Sequence, residues 1–594
     1  MNIDPPTVNA PSPRTSLTVN IDECYETANG RRSDHAAMIA ALAACRERGA
    51  ARLVLPRRTY HFDNPSIDDR GAHILVEDMH DLTIDGSGSE LMFHHVANAF
   101  RFVRCKRMVL RDVVIDWAFR LTSPGHVVKR PDGRTAVWFP PHYPVDESTL
   151  ITAVSEYDIE RYRWAMNGVE IYYPKDVELI GPQTMYSPSF EEERRPPHGQ
   201  GGLAAGMQLV VRHYVYQATC VDFGGAGNED LAFEDITIYQ CPGHAFCGYN
   251  AERGFRLSRV KIERRAESGT LVSATADGAH FGAVLGDIVI EDCDFSMQGD
   301  DSVNIHGTWL EVTSQADART LVMTGRWLSD RTRLEPGEEL KLCRKADLEE
   351  YSRAEIVGSV FDAATRTVRV EVAADLPGGV AEGDYVANVT RSSSRFHIRG
   401  NYFHDHRARG MLLQARHGLV EDNHIRNVMG AALQMTADCN YWKEGFGCEH
   451  VLVRDNLIER TNNASWERCP TGRHMAAVSL VVDTPTGLGT YPVHCDITFE
   501  RNVVRETPGL AFLVASARDV TVSGNVIVDA NTEPFDGTGS AIDAAADGSV
   551  MVTRAANVRV LRNRRAATRP THATGIHVDG RNTSDVVVEG NEGF

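Results

Sequence analysis

The chain runs to 594 residues, 42% hydrophobic and 24% charged, proportions ordinary for a folded protein in water. Its formal net charge of −19 repels polyanions, so nucleic acid, anionic membrane and highly charged acidic polysaccharide are poor partners, while neutral substrates fit. At this length one compact core is excluded, which leaves several domains or an elongated repeat whose core grows in one dimension.

Residues 1–20 are rich in Pro, Ser and Thr and are expected to be disordered. They hold no apolar leader, which points to a cytoplasmic protein, and no later stretch is apolar enough to span a membrane. Within residues 21–119, DHAAMIAALAACRER at 34–48 has helical spacing with an Asp at its start, and ARLVLPRRTY follows as strand, proline, strand. Such a helix would cover the open end of a stack of coils. Residues 120–205, from RLTSPGHVVKRPDGRTAVWF to RRPPHGQGG, break the pattern with Pro-rich loops. Strands resume over 206–307 as LAFEDITIY, FRLSRVKIE and DIVIEDCDF. A second break at 308–394 alternates strands and turns, including TLVMTGRW and EIVGSVFDAATRTVRVEV. Both breaks read as small antiparallel β modules inserted into loops.

Residues 395–594 carry a repeat: FHIRGNYF, GLVEDNHI, VLVRDNLI, ITFERNVV, VTVSGNVI, VRVLRNRR and VVVEGNEG, with Asn401, Asn423, Asn456, Asn502, Asn525, Asn563 and Asn591 in step. The shortest spacings between these asparagines are 22 and 23 residues. That is too short for a strand–helix–strand unit of about 30 residues or a propeller blade of about 40–50. It suits three short strands and tight turns, one coil of a right-handed parallel β-helix. Asn stacks well at such turns, since it tolerates left-handed geometry and can bond to its counterpart in the next coil. The twelve cysteines are scattered without a CxxC pair, so no metal cluster and no cofactor is implied. HDH at 404–406 offers two histidines with no evident third ligand, and no metal is expected there either.

The chemistry gathers at MQGDDSVNIHG, where Asp300 and Asp301 adjoin in a strand-like stretch, with Asp277 in ATADGAHFG one coil earlier. GDD alone is common turn chemistry. A coil-length spacing, however, puts Asp277 on the neighbouring strand, and three carboxylates in one patch cannot all ionise comfortably. One protonated acid beside ionised partners is what glycoside hydrolysis needs. Aligning Cys293 with Asn401 places Arg407 and Arg409 above the acids, to hold a sugar hydroxyl or merely to neutralise them. Asp438, Asn440 and Trp442 in LQMTADCNYWKEG form a polar and aromatic cluster, with Trp442 either core or a platform for a pyranose face. His280 and His306 flank the acids, as coil packing or as hydroxyl ligands.

ATADGAHF, MQGDDSVNIHG, RARGMLLQA and ADCNYW together resemble glycoside hydrolase family 110, the bacterial exo-α-1,3-galactosidases. MQLVVRHYVY and YQCPGHAFCGYN extend the likeness, with His-Ala in PGHAF and the missing leader as departures. The resemblance implies that both inserted modules are β-barrels, that the substrate is a terminal α-1,3-linked galactose on an oligosaccharide or glycan, and that hydrolysis inverts the anomeric carbon. By analogy with polygalacturonases, it further implies Asp300 as general acid, with Asp277 and Asp301 orienting and deprotonating water. Three rivals stand beside it. A polygalacturonase would show NTDG, GHG and a basic RIK-like triplet, which are replaced or absent here. A lyase would bind calcium in the acid cluster, and a binding module or tailspike-like scaffold would use no acid at all. A homodimer, end to end or through the modules, is compatible with the sequence.

Overall fold

The computed structural model describes residues 3–594 apart from 14, 26–32, 64–70, 170, 172, 192–202, 464–475, 485–486, 534–547, 573 and 581. RRPPHGQGG at 194–202 therefore lies outside the described residues, except for its neighbours. The rest is a right-handed parallel β-helix in which three strands per coil stack into three parallel ladders. One ladder runs through Phe246–Tyr249, Ala279–Gly282, Val303–Asp317, Met411–Gln414, Leu433–Met435 and Ala476–Leu480. Inward residues of all three ladders (Phe281, Ile288, Phe295, Ile305, Phe396, Leu413 among them) make one continuous apolar core. Every second strand residue points inward, so a repeat of β-branched and aromatic residues generates that core by itself.

Asn401, Asn423, Asn456, Asn502, Asn525, Asn563 and Asn591 form a ladder along one edge. From Asn423 onward each Oδ1 accepts both the backbone N–H and the Nδ2–H of the preceding asparagine, as in Asn401 to Asn423 at 3.1 and 2.8 Å and Asn423 to Asn456 at 3.0 Å in each case. The left-handed turn residue is the one before each Asn, not the Asn: Gly400, Asp422, Asp455, Arg501, Gly524, Arg562 and Gly590 have φ between 51° and 65°. The asparagines thus serve by hydrogen bonding, and the turn strain falls one place earlier.

The helix Asp34–Arg48 is capped by Ser33, whose hydroxyl accepts the Ala36 N–H, and ends at Gly49 in the left-handed region. It buries Met38, Ala41, Leu42 and Cys45 on the first coil and seals the core at that end. The expected disorder of residues 1–20 is not what the structure holds. Thr18–Asn20 pairs in parallel with Arg52–Val54, and Asn9 bonds Asp230 through both its backbone and side-chain nitrogen. Acceptors on the coil edges offset the polar composition that argued for disorder.

Between Thr122 and Arg212 the chain forms a seven-stranded antiparallel sheet with its own core around Val137, Phe139, Val154, Leu209 and Val211. Its order ends in Arg163–Trp164 on one side and Glu178–Gly181 on the other, so the described strands make an open sheet rather than a barrel. The second insertion does close. The end of Val303–Asp317 pairs with Thr320–Thr324, which pairs with Thr367–Val372, then Glu350–Asp362, Glu339–Cys343 and Tyr385–Asn388, and the last returns to Trp309–Glu311. One strand therefore begins in the solenoid ladder and ends in this ring.

Candidate active site

Asp277 and the pair Asp300–Asp301 stand just ahead of neighbouring strands of one ladder. The register pairs Ala279 with Val303, and the Gly278 N–H donates to the Asp301 carbonyl at 2.9 Å. Asp277 therefore stacks on Asp301 rather than on Asp300. Spacing alone had suggested the latter, and the true offset is one residue longer. The juxtaposition survives, because adjacent Asp300 shares the same rim: carboxylate oxygens of all three lie within 4.8 Å of one another. The glycines of both motifs permit this. A Cβ on Gly278 would sit 2.7 Å from the Ser302 carbonyl, and one on Gly299 2.4 Å from that of Thr275.

Arg407 and Arg409 arrive from the next coil as expected. Arg407 Nη1 lies 3.1 Å from Asp300 Oδ1 and also donates to the Gly299 carbonyl at 2.6 Å. The backbone N–H of Arg409 donates to Asp301 Oδ1 at 2.8 Å, with its Nε 3.3 Å from the same oxygen. Three residues that the sequence reading missed complete this side, all from the first insertion or its return. Tyr216 donates its hydroxyl to Asp300 Oδ2 at 2.8 Å, and Tyr173 stands close enough to Tyr216, Asp300 and Arg407 to interact with each. The fully buried Arg212 donates to the Thr275 and Gly299 carbonyls at 2.9 and 2.7 Å.

These contacts divide the acids. Burial by itself would raise Asp300, but Arg407, Arg409, the Tyr216 hydroxyl and Arg212 hold its carboxyl below the usual range. Asp301 is pushed well above that range by burial, opposed by Arg409 and reinforced by Asp300 and Asp277. Burial likewise lifts Asp277 well up, helped by Asp300 and Glu444.

Histidines line Asp277. His280 Nδ1 lies 2.6 Å from Asp277 Oδ2, and its Nε2 lies 2.9 Å from His306 Nε2 and 2.6 Å from the Tyr249 hydroxyl. His306 Nδ1 donates to the Gly307 carbonyl. Burial lowers His280 and His244 to about 3, consistent with neutral rings. His306 is 0% exposed with both nitrogens engaged internally, so it orders His280 from beneath.

Asp438 receives the backbone N–H groups of Asn440, Tyr441 and Trp442 at 2.8, 3.1 and 3.0 Å. Its carboxylate thus shapes the loop that presents Trp442. Asn440 is exposed and donates to the Thr484 carbonyl at 3.3 Å. Trp442 lies parallel to Trp327 of the second insertion, ring centroids 6.1 Å apart at 9°, and edge-on to Tyr216 at 6.4 Å. Arg326 sits over Tyr441, 4.1 Å from its centroid. Tyr216, Trp327 and Tyr441 are each 43–50% exposed, so they line an aromatic rim beside Asp300. Nothing local in the sequence ties Trp327 to position 442; in the fold its Nε1 donates to the Trp442 carbonyl at 2.6 Å.

Among the described residues, three overlapping sets carry donors a metal could use: His244, Asp277 and His280; His280, His306 and Glu444; and the three aspartates. HDH at 404–406 is not among them. Asp405 takes a left-handed conformation, so alternation fails: His404 bonds Asp405 and Asp294 outside, while His406 turns in to Ser302 at 2.8 Å.

No family model matches the chain. It is 24% identical over 558 residues to an α-1,3-galactosidase B of Bacteroides thetaiotaomicron, covering 86% of each chain. It is 25% identical over 527 residues to an α-1,3-galactosidase A of Bacteroides fragilis, covering 83% and 84%. Among solved structures it is similar to the Agl-KA catalytic domain, at 11% identity and a TM-score of 0.45, over 98% of this chain and 70% of that one. In sequence the chain is similar to α-1,3-galactosidases over most of its length, which supports the likeness to glycoside hydrolase family 110 read from its motifs.

Proposed function

We propose that the protein removes terminal α-1,3-linked galactose from oligosaccharides or glycans by acid–base hydrolysis at Asp277, Asp300 and Asp301. The observation that carries this reading is three carboxylates in one patch at the foot of an aromatic rim, one facing Arg407 and the Tyr216 hydroxyl and the other two pushed up by burial. Neutral sugar suits the rim, since apolar ring faces pack on Trp and Tyr.

The charges revise the roles that the polygalacturonase analogy suggested. Asp300 already takes Arg407 on one oxygen and the Tyr216 hydroxyl on the other, an arrangement that favours the carboxylate. Asp300 is therefore assigned as the base that deprotonates water, and the Asp277–Asp301 pair carries the proton given to the leaving oxygen. As a coupled pair they titrate together. Their oxygens lie at most 4.8 Å from Asp300, below the roughly 6.5–9.5 Å of two carboxylates facing each other across a sugar. Inversion consequently rests on the family likeness rather than on spacing.

Proton NMR of an α-1,3-galactobiose digest tests activity and stereochemistry together. Galactose should appear, first as the β anomer; α galactose first would make a carboxylate the nucleophile. Asp277→Asn, Asp300→Asn and Asp301→Asn should each lose nearly all turnover with folding intact, and full galactose release by any of them would remove it from the machinery. On a 4-nitrophenyl α-galactoside, whose leaving group needs no proton, Asp277→Asn should recover activity and Asp300→Asn should not.

A further inference from the structure

Beyond the three aspartates, one buried carboxylate has no role in the chemistry above. Glu444 is 6% exposed. Its Oε2 takes the Asn304 and Gln414 side-chain amides, each at 3.2 Å, while Oε1 accepts no hydrogen bond among the described residues and has only His306 Nε2 at 3.8 Å. No Arg or Lys pairs with it there. Asn304, 4% exposed, also has an Oδ1 that is buried without a partner. A buried acceptor without a donor, as Asn304 Oδ1 is, is costly, and a fold keeps one only where something else supplies the hydrogen.

The position of the pair says what that is. Asn304, on the strand that begins at Val303, follows Asp301 by three residues, roughly 10 Å at 3.3 Å per residue of extended chain, about the reach of one pyranose ring with its hydroxyls. His280 is its register partner and links this end to Asp277. Glu444 is carried in by Glu444–Gly445, which pairs antiparallel with Gly307 and Thr308. That pairing is backbone on backbone: a Cβ on Gly307 would lie 2.4 Å from the Gly445 carbonyl, and one on Gly445 1.7 Å from Trp309 Nε1. The glycines of NIHG and KEGFG thus exist to bring one glutamate over the strand that follows the acids.

We propose that Glu444 and Asn304 are specificity-determining residues that accept hydrogen bonds from two neighbouring hydroxyls of the terminal sugar, at the end of its ring away from Asp300. The proposal rests on the function given above, and a ligand–protein cycle separates the two. Wild-type enzyme and Glu444→Gln are compared on α-1,3-galactobiose and on analogues deoxygenated singly at each hydroxyl of the non-reducing ring. Glu444→Gln should lose roughly 10- to 150-fold in kcat/KM on the parent sugar, the range for hydrogen bonds to a charged group, and be nearly indifferent to one or two deoxygenations that cost the wild type as much. Galactose should raise the melting temperature of Asp300→Asn but not of Asp300→Asn/Glu444→Gln. Equal deoxygenation penalties in both enzymes would overturn the proposal, as would stoichiometric zinc retained through dialysis by wild type and lost in Glu444→Gln. A wild type that neither cleaves galactobiose nor binds galactose would instead remove the functional reading beneath it.

Discussion

At the residue scale, what distinguishes the three aspartates is their neighbours. Asp300 and Asp301 are adjacent in sequence, yet one is pulled down by Arg407 and the other pushed up by burial. The sign of each shift fixes a pH dependence. The base must be ionised, and Asp300 stays so to below the ordinary carboxylate range, so the acid limb of kcat/KM should lie low. The proton of the Asp277–Asp301 pair survives well above that range and is lost as pH rises through the elevated value, which sets the alkaline limb. Folding follows the same linkage, because raised carboxyls favour the folded state at low pH and cease to do so as pH climbs through their folded pKa. Arg407→Gln removes the first of the cations that lower Asp300, and its acid limb should move upward while the alkaline limb moves less. A pH–rate profile checks this, and an unmoved acid limb would mean that Arg407 does not set the Asp300 charge.

At the scale of the element, the coil is kept in register by side chains as much as by the backbone ladder. Asn456 is 2% exposed; it serves Asn423 through Oδ1 and reaches the Val420 carbonyl at 3.0 Å through Nδ2. Asn456→Ala strands these buried groups, at about 1–3 kcal/mol for each. Asn591, at the end of the stack, is half-buried, so Asn591→Ala should cost clearly less. Denaturant midpoints of the two variants measure the difference, and equal shifts would show that the ladder is ornamental. The same coil geometry decides the active site, since one residue of register separates Asp277 over Asp301 from Asp277 over Asp300.

At the scale of the molecule, the solenoid is a rigid floor and the two insertions supply the walls. Tyr173 and Tyr216 come from the first or its return to the coils, and Trp327 from the second. The chain as a whole carries a formal net charge of −19, and Arg407 and Arg409 are already engaged with Asp300 and Asp301. A polyuronate chain would meet repulsion, and the two arginines that reach Asp300 and Asp301 are already taken by them. A reducing-end assay should therefore find no cleavage of polygalacturonate under conditions where α-1,3-galactobiose is consumed, and comparable rates on both would reverse that argument.

The periodic asparagines, the capping helix, the two interruptions and the acid trio were all legible in the chain. The asparagines and the acids recur at the period of one coil, and stacking converts period into proximity, while the helix and the interruptions show as local departures from that period. Arg407 and Arg409 were placed by the same device across the 87-residue interruption at 308–394, through Cys293 and Asn401, whose contact the structure shows at 2.9 Å. Tyr216, Trp327 and Glu444 carry no such period. They reach the site on loops and on an antiparallel pairing whose geometry depends on how the insertions fold, so no spacing announces them. The charge on each aspartate was beyond the sequence for the same reason: it names three carboxylates, but the distances to guanidinium, hydroxyl and neighbouring acid decide which of them holds the proton.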